Sequence, residues 1–175
     1  AVSYANGKMY IMGGACESFP QASIVLTQNF SSASTTHNVT MPATVDAGDL
    51  SVALLTNDGN ATVPTPAGWT TPTGTSTEDS NNQVRGSVFT KSAAGTEDGT
   101  NVNFQTSASE EGSSHVYRIP AGKWRGSSAS TDVEANVLNN SDSNTSGPNG
   151  SSLNPSGWGT ENTLWITYAA GSSYN

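Results

Sequence analysis

Residues 84–106 read VRGSVFTKSAAGTEDGTNVNFQT, and this stretch decides the fold. Ser87-Val88-Phe89-Thr90 and Asn101-Val102-Asn103-Phe104 both alternate polar with apolar side chains. A period of two turns one row of side chains toward a core and the other toward water, as in a half-buried β-strand. Glycine and aspartate between the two runs are typical of a turn. The stretch therefore predicts strands over Val84–Lys91 and Val102–Thr106.

Short β-type runs bounded by Gly, Asn, Asp and Ser recur along the rest of the chain, whereas helical patterning is almost absent. We expect an all-β fold, an antiparallel β-sandwich of jelly-roll or immunoglobulin-like type. Residues 139–157 are rich in Asn, Ser, Gly and Pro and predict a long surface loop. The other predicted strands are Val2–Tyr4, Lys8–Met12, Ala22–Leu26, His37–Met41, Leu50–Thr56, Trp69–Thr73, His115–Ile119, Val133–Val137 and Thr163–Ala169.

The first twenty residues form a separate predicted unit. Asn6-Gly7 lies between two short apolar runs, and this dipeptide is a strong hairpin signal because both central residues of a type I′ turn need positive φ. We predict an N-terminal hairpin or arm over residues 1–20 and a sandwich domain over residues 21–175, incomplete at its C-terminus.

Composition and charge limit the function. Charged residues make up only 11% of the chain, and the net charge is −8 with six Lys and Arg in total. Nucleic-acid binding depends on clustered cations, so we expect no nucleic-acid partner. No apolar run reaches the roughly 18 residues of a membrane span. Cys16 is the single cysteine, which excludes an intrachain disulfide and a cysteine-based metal site.

Candidate catalytic groups are few. The two histidines, His37 and His115, lie in predicted strands without a catalytic motif, and we expect their rings at the surface. Paired carboxylates can support glycoside hydrolysis, and the adjacent acid pairs in the chain are Glu110-Glu111, Glu78-Asp79 and Glu97-Asp98. Adjacent acids in a strand point to opposite faces, and in a turn they usually face water. We therefore predict no enzyme, no catalytic residue and no cofactor.

Two oxygen-rich segments, Asn57-Asp58-Gly59-Asn60 and Asp142-Ser143-Asn144, offer ligands of the kind that calcium prefers. Neither matches a calcium-loop motif, and turn formation is the favoured interpretation, with calcium left open. Among the four tryptophans, Trp124 lies in a short polar loop and is the candidate for an exposed ring that stacks on a sugar. Trp165, within Leu164-Trp165-Ile166, is predicted to point into the core.

From Val45 to Tyr168 the chain resembles a family of bacteriophage virion structural proteins that is common in marine phages. The order and spacing of seven short stretches carry this resemblance. They are Asp46-Ala47-Gly48-Asp49-Leu50, Asn57-Asp58-Gly59-Asn60-Ala61-Thr62-Val63, Pro66-Ala67-Gly68-Trp69-Thr70, Ala93-Ala94-Gly95-Thr96-Glu97, Val102-Asn103-Phe104, Val116-Tyr117-Arg118-Ile119 and residues 158–166, WGTENTLWI. In addition, residues 5–14, ANGKMYIMGG, look like a strand pair of a kelch propeller.

The resemblance implies a β-sandwich module of a phage fibre, appendage or capsid decoration protein, with landmark residues that are structural. We therefore expect a non-enzymatic protein on the virion surface that associates with other virion proteins and with copies of itself, as a homo-oligomer. Contact with a host surface glycan is a further expectation. Two alternatives stay open: a carbohydrate-binding module, and a bacterial surface adhesin or filament subunit.

Overall fold

The computed structural model describes residues 2–5, 8–11, 23–75, 77–80, 83–126, 128–137 and 164–168. Every regular element in these residues is a β-strand, so the predicted all-β fold is confirmed. No helix in this part of the chain is long and apolar enough to cross a membrane. The strands are β1 (Val2–Ala5), β2 (Lys8–Ile11), β3 (Ser23–Thr40), β4 (Leu50–Asp58), β5 (Thr73–Thr75), β6 (Thr77–Ser80), β7 (Val84–Ser92), β8 (Asn101–Ile119) and β9 (Glu134–Asn136).

The main sheet has five strands in the order β3-β8-β4-β7-β6, and each neighbouring pair is antiparallel. Its centre is β4, where Leu55 lies between Ser87 of β7 and Ser114 of β8. β1 and β2 pair antiparallel, and β5 pairs with β9 in parallel.

β3 and β8 are long strands that bend, and their bend creates the second layer of the sandwich. At about 3.3 Å per residue, a straight strand would separate Phe104 from Val116 by about 40 Å. Both residues nevertheless belong to one buried cluster with Phe89 of the main sheet. The β3–β8 ladder shifts register between Phe30 and Thr36, which marks the bend. Residues 34–40 and 101–110 therefore fold back over the sheet.

The main sheet is buried on both faces. Along β4, Ala53 and Leu55 face the folded-back layer, whereas Leu50, Val52 and Leu54 face the opposite side. The first core lies between the two layers and consists of Val39, Met41, Ala53, Leu55, Trp69, Phe89, Phe104 and Val116. The second core consists of Leu50, Val52, Leu54, Val88, Tyr117, Ile119, Ala129 and Ala135, with Trp124, Val133, Val137, Leu164, Ile166 and Tyr168 packed against it.

Several predicted strand boundaries are wrong. The predicted strands Ala22–Leu26 and His37–Met41 belong largely to the single strand β3, and Val102–Thr106 and His115–Ile119 both lie within β8. The connecting residues are mostly Ser, Thr and Glu and are largely exposed at the bend, so they carry no apolar alternation. Residues 164–168 form no strand. The predicted loop over residues 139–157 lies outside the described residues.

Candidate functional site

A cluster of three charged side chains lies where Arg118 meets the turn before β4. The Arg118 guanidinium binds the carboxylates of Asp49 and Asp46. Asp49 is buried and also accepts hydrogen bonds from the backbone N–H groups of Ala121 at 2.8 Å and Asp46 at 2.9 Å. Burial acts to raise the pKa of Asp49, but these donors outweigh it and hold the pKa below its usual value. A charged, fully bonded carboxylate here fixes the turn.

Trp124 takes part in the same corner. Its indole N–H donates a hydrogen bond of 2.9 Å to the Gly48 carbonyl, and its ring packs partly buried against the second core. The ring is therefore half-buried and not exposed as predicted from the sequence. Contact of Trp124 with a sugar stays a prediction.

Glu97 organises a second turn, after β7. Its carboxylate accepts hydrogen bonds from the backbone N–H groups of Ala94, Gly95 and Thr96 at about 3 Å and forms an ion pair of 2.9 Å with Lys91. Burial acts to raise the pKa of Glu97, but the bonds from Ala94, Lys91 and Thr96 prevail and lower the pKa to about 2. This carboxylate is an acceptor that holds a turn together.

The two acids of the pair Glu97-Asp98 do not converge on a common space, because each binds a different backbone segment. Asp98, beside Glu97, accepts a 2.6 Å hydrogen bond from the backbone N–H of Val45 instead. In the pair Glu110-Glu111, Glu111 is exposed. Burial raises the pKa of Glu110, the charge of Asp58 adds to this effect, and the Ala61 N–H partly offsets it. The side chains of Glu78-Asp79 lie outside the described residues.

The segment Asn57-Asp58-Gly59-Asn60 covers the end of β4 and the bend that follows, since Asn57 and Asp58 are still paired with β7. The Asn57 side-chain amide donates to the Ala61 carbonyl at 3.2 Å, and the Gly59 N–H donates to the Gln83 carbonyl at 2.7 Å. Gly59 has φ of 79°, and a Cβ there would lie 2.8 Å from both Glu110 carboxylate oxygens. Among the described residues, no three His, Cys, Asp or Glu side chains are grouped to hold a metal ion. Asp142-Ser143-Asn144 lies outside these residues.

The two histidines differ in environment. His115 has Nδ1 3.0 Å from the Thr27 hydroxyl, and its ring meets the Tyr168 ring edge-on at a centroid distance of 5.2 Å. Tyr168 in turn hydrogen-bonds the Thr56 hydroxyl. His37 is 1% exposed, so the expectation that its ring lies at the surface is wrong. The cause is the fold-back of β3, which buries the ring between the bent strands.

Trp165 is exposed, so the prediction that it points into the core is wrong. It is 58% exposed, the most exposed large hydrophobic side chain in the described residues. Leu164, Ile166 and Tyr168 pack toward the second core, so Trp165 faces solvent between them. The alternation of Leu164, Ile166 and Tyr168 was a usable signal, because a period of two puts Trp165 on the opposite side.

No protein-family model, curated protein or solved structure matches this chain in sequence or fold comparisons.

Proposed function

We propose that this chain is a non-enzymatic structural protein displayed on the surface of a bacteriophage particle, as a capsid decoration, a head fibre or a tail fibre. The resemblance of residues 45–168 to phage virion proteins is one support. Two of its motifs, Asp46–Leu50 and Ala93–Glu97, are hydrogen-bonded turns in this fold. Such motifs preserve a shape, as a display scaffold requires.

The observation that carries the proposal is that two buried carboxylates are fully paired within the fold. Asp49 and Glu97 are buried, paired with Arg118 and Lys91, and bonded to backbone N–H groups. Their pKa values are lowered, so both stay ionised and neither is suited to donate a proton near neutral pH. Carboxylates paired in this way hold their turns rigid and do not act as catalytic acids.

The edges of the main sheet support the oligomeric part of the proposal. Within the described residues, β3 forms one edge of the main sheet and β6 the other. An edge strand presents backbone donors and acceptors that a strand of another chain can pair with. We include copies of the same chain and other virion proteins as partners, with host surface glycans as further ligands.

The test is the protein content of purified particles. Particles of the phage that encodes the chain are purified by density gradient. Their proteins are identified by mass spectrometry, and the particles are labelled with antibody for electron microscopy. We expect a fixed copy number per particle and label at regular surface positions. Gradient fractions from the uninfected host serve as the control. Absence of the chain from infectious particles would contradict the proposal.

A carbohydrate-binding module is the second candidate function, because Trp165 exposes a flat apolar ring to solvent. Exposed tryptophan rings stack on the apolar face of sugars. A glycan array with the intact chain tests this function. We expect binding to be lost in Trp165→Ala and retained in Trp165→Phe, with Trp124→Ala testing the ring that sequence reasoning favoured. Absence of saturable binding to any glycan would remove this candidate.

A further inference from the structure

His37 lies at the point where the β3–β8 ladder folds back over the main sheet. Its ring contacts the Phe30 ring at a centroid distance of 4.9 Å, and in the ladder it pairs with Phe104 of the first core. Phe30 and His37 belong to the same strand on opposite sides of the register shift. The imidazole therefore lies between the two limbs of the bend, and the residue is buried, with 1% of its surface exposed.

The hydrogen bonds around His37 identify which ring nitrogen carries the proton. His37 Nε2 lies 3.3 Å from the Thr106 hydroxyl oxygen, and that hydroxyl lies 2.8 Å from the Ala108 carbonyl. The same hydroxyl lies 3.3 Å from the Ser34 carbonyl. Carbonyls only accept, so the single hydroxyl proton of Thr106 goes to one of these two oxygens and not to His37. Nε2–H then donates to Thr106. Nδ1 is consequently the unprotonated nitrogen, and it is buried with no hydrogen-bond partner in the described part of the chain.

Protonation would place a charged N–H at this buried nitrogen. Burial alone lowers the pKa of His37, and no charged group among the described residues contributes to the shift. The neighbours from β3 and β8 are Phe30, Phe104 and Thr106, which are neutral. Glu110, which pairs with Ser34 at the same bend, is the ionisable group of β8 closest to His37 along the ladder, and its own pKa is raised.

We propose that His37 is an acid-sensitive latch, which holds the folded-back layer closed while the ring is neutral and releases it when Nδ1 takes up a proton. The proton is accommodated only if the bend opens and water reaches the ring, because a buried, unpaired charge is strongly unfavourable. Opening would free residues 34–40 and 101–110 and uncover Phe89 and Val116 of the first core. The latch is independent of the proposed virion role.

Hydrogen exchange measured by mass spectrometry on the full chain tests the latch, with pulses corrected for the intrinsic pH dependence of exchange. We expect the equilibrium constant for opening of residues 34–40 and 101–110 to rise about tenfold for each pH unit below pH 6.5. β4 and β7 should open only at lower pH than these residues. The variant His37→Gln keeps a side-chain N–H for Thr106 but cannot become charged, so its opening should not change with pH in this window.

His115→Gln is the matched control, because it removes the other histidine of the chain, and we expect it to keep the acid response. Glu110→Gln tests the remaining ionisable group at the bend and should also keep the response. An acid response that survives in His37→Gln, or disappears in either control, would overturn the latch.

Should His37→Gln fail to fold, nitrogen NMR of the unmodified chain decides. The latch requires the Nε2–H form at neutral pH and titration of the His37 ring below 6.5. An Nδ1–H form, or titration at or above 6.5, would overturn the proposal.

Discussion

The side chain of Gln28 binds the backbone of Thr40, twelve residues further along the same strand. The Thr40 N–H donates to the Gln28 carboxamide oxygen at 2.6 Å, and the Gln28 amide donates to the Thr40 hydroxyl at 3.3 Å. In a straight strand these residues would lie about 40 Å apart. The contact therefore ties the first limb of β3 to the folded-back limb and fixes the spacing between the two layers.

Removal of this tie should loosen the second layer. We expect Gln28→Ala to lower the free energy of unfolding by about 1–3 kcal/mol, because the Thr40 N–H loses its acceptor. Urea unfolding followed by circular dichroism measures the change. Asn29→Ala, at the exposed neighbouring position, should change stability by less than about 0.5 kcal/mol. Equal losses in the two variants would contradict a specific role for Gln28.

Truncation of a side chain should lower the free energy of unfolding strongly in the first core and hardly at all at the exposed tryptophan. Phe104 is 0% exposed and its ring lies 5.4 Å from that of Phe89, so Phe104→Ala should cost about 3–5 kcal/mol. Trp165→Ala should stay within about 0.5 kcal/mol of the unmodified chain, because its ring faces solvent. Denaturant unfolding compares the two. A large loss for Trp165→Ala would show that its ring is part of the core.

The lowered pKa of Glu97 predicts that the free energy of unfolding decreases in acid. Its pKa is about 2 in the folded state against 4.5 for the ordinary group, so the folded protein binds fewer protons between these values. The stabilisation is complete above pH 4.5 and is lost as the pH falls toward 2. At pH 7, Glu97→Gln should cost about 1.5–3 kcal/mol. Unfolding curves across this pH range should converge for variant and unmodified chain at the acid end; a constant gap would contradict the assignment.

Arg118 pairs with one buried carboxylate, Asp49, and one exposed carboxylate, Asp46, so loss of the two pairs should have different effects on stability. Arg118→Met leaves Asp49, which is 1% exposed, without its cation, and should cost about 3–5 kcal/mol. Asp46→Asn removes a partner whose side chain is 72% exposed and should cost no more than about 1 kcal/mol. Thermal unfolding of both variants at matched salt checks the contrast. Similar losses for the two would mean that burial does not set the strength of these pairs.

The sequence predicted the class of fold because the deciding signal is local. Alternation around Val88-Phe89 and Val102-Asn103-Phe104 predicted strands that the structure contains. The bend in β3 and β8 was not predictable in this way, because it depends on contacts between distant residues. Gly112 illustrates this: a Cβ there would lie 2.4 Å from the Thr56 carbonyl oxygen, a clash with a strand more than fifty residues away.

The candidate site was predicted less well for the same reason. Sequence reasoning treated His37 and His115 alike, since each lies in a β-type run, but the fold-back buries only His37 fully. Glu97 and Asp98 are adjacent and chemically similar, yet one closes its own turn and the other caps the backbone of Val45. Which neighbours a side chain meets is set by the packing of the two layers, which no short pattern encodes.

The pairing of β3 with β8 also constrains how this protein is made. Ser23 lies opposite Arg118 in the ladder, and β4 forms its own ladder with both β7 and β8. The edge strand synthesised first must therefore wait for a partner synthesised almost a hundred residues later. Chains dominated by such non-local pairing fold slowly. On the ribosome, the first limb of β3, Ser23–Phe30, stays unpaired with β8 until residues 112–118 have been made, so completion of the sheet is a late event in biogenesis.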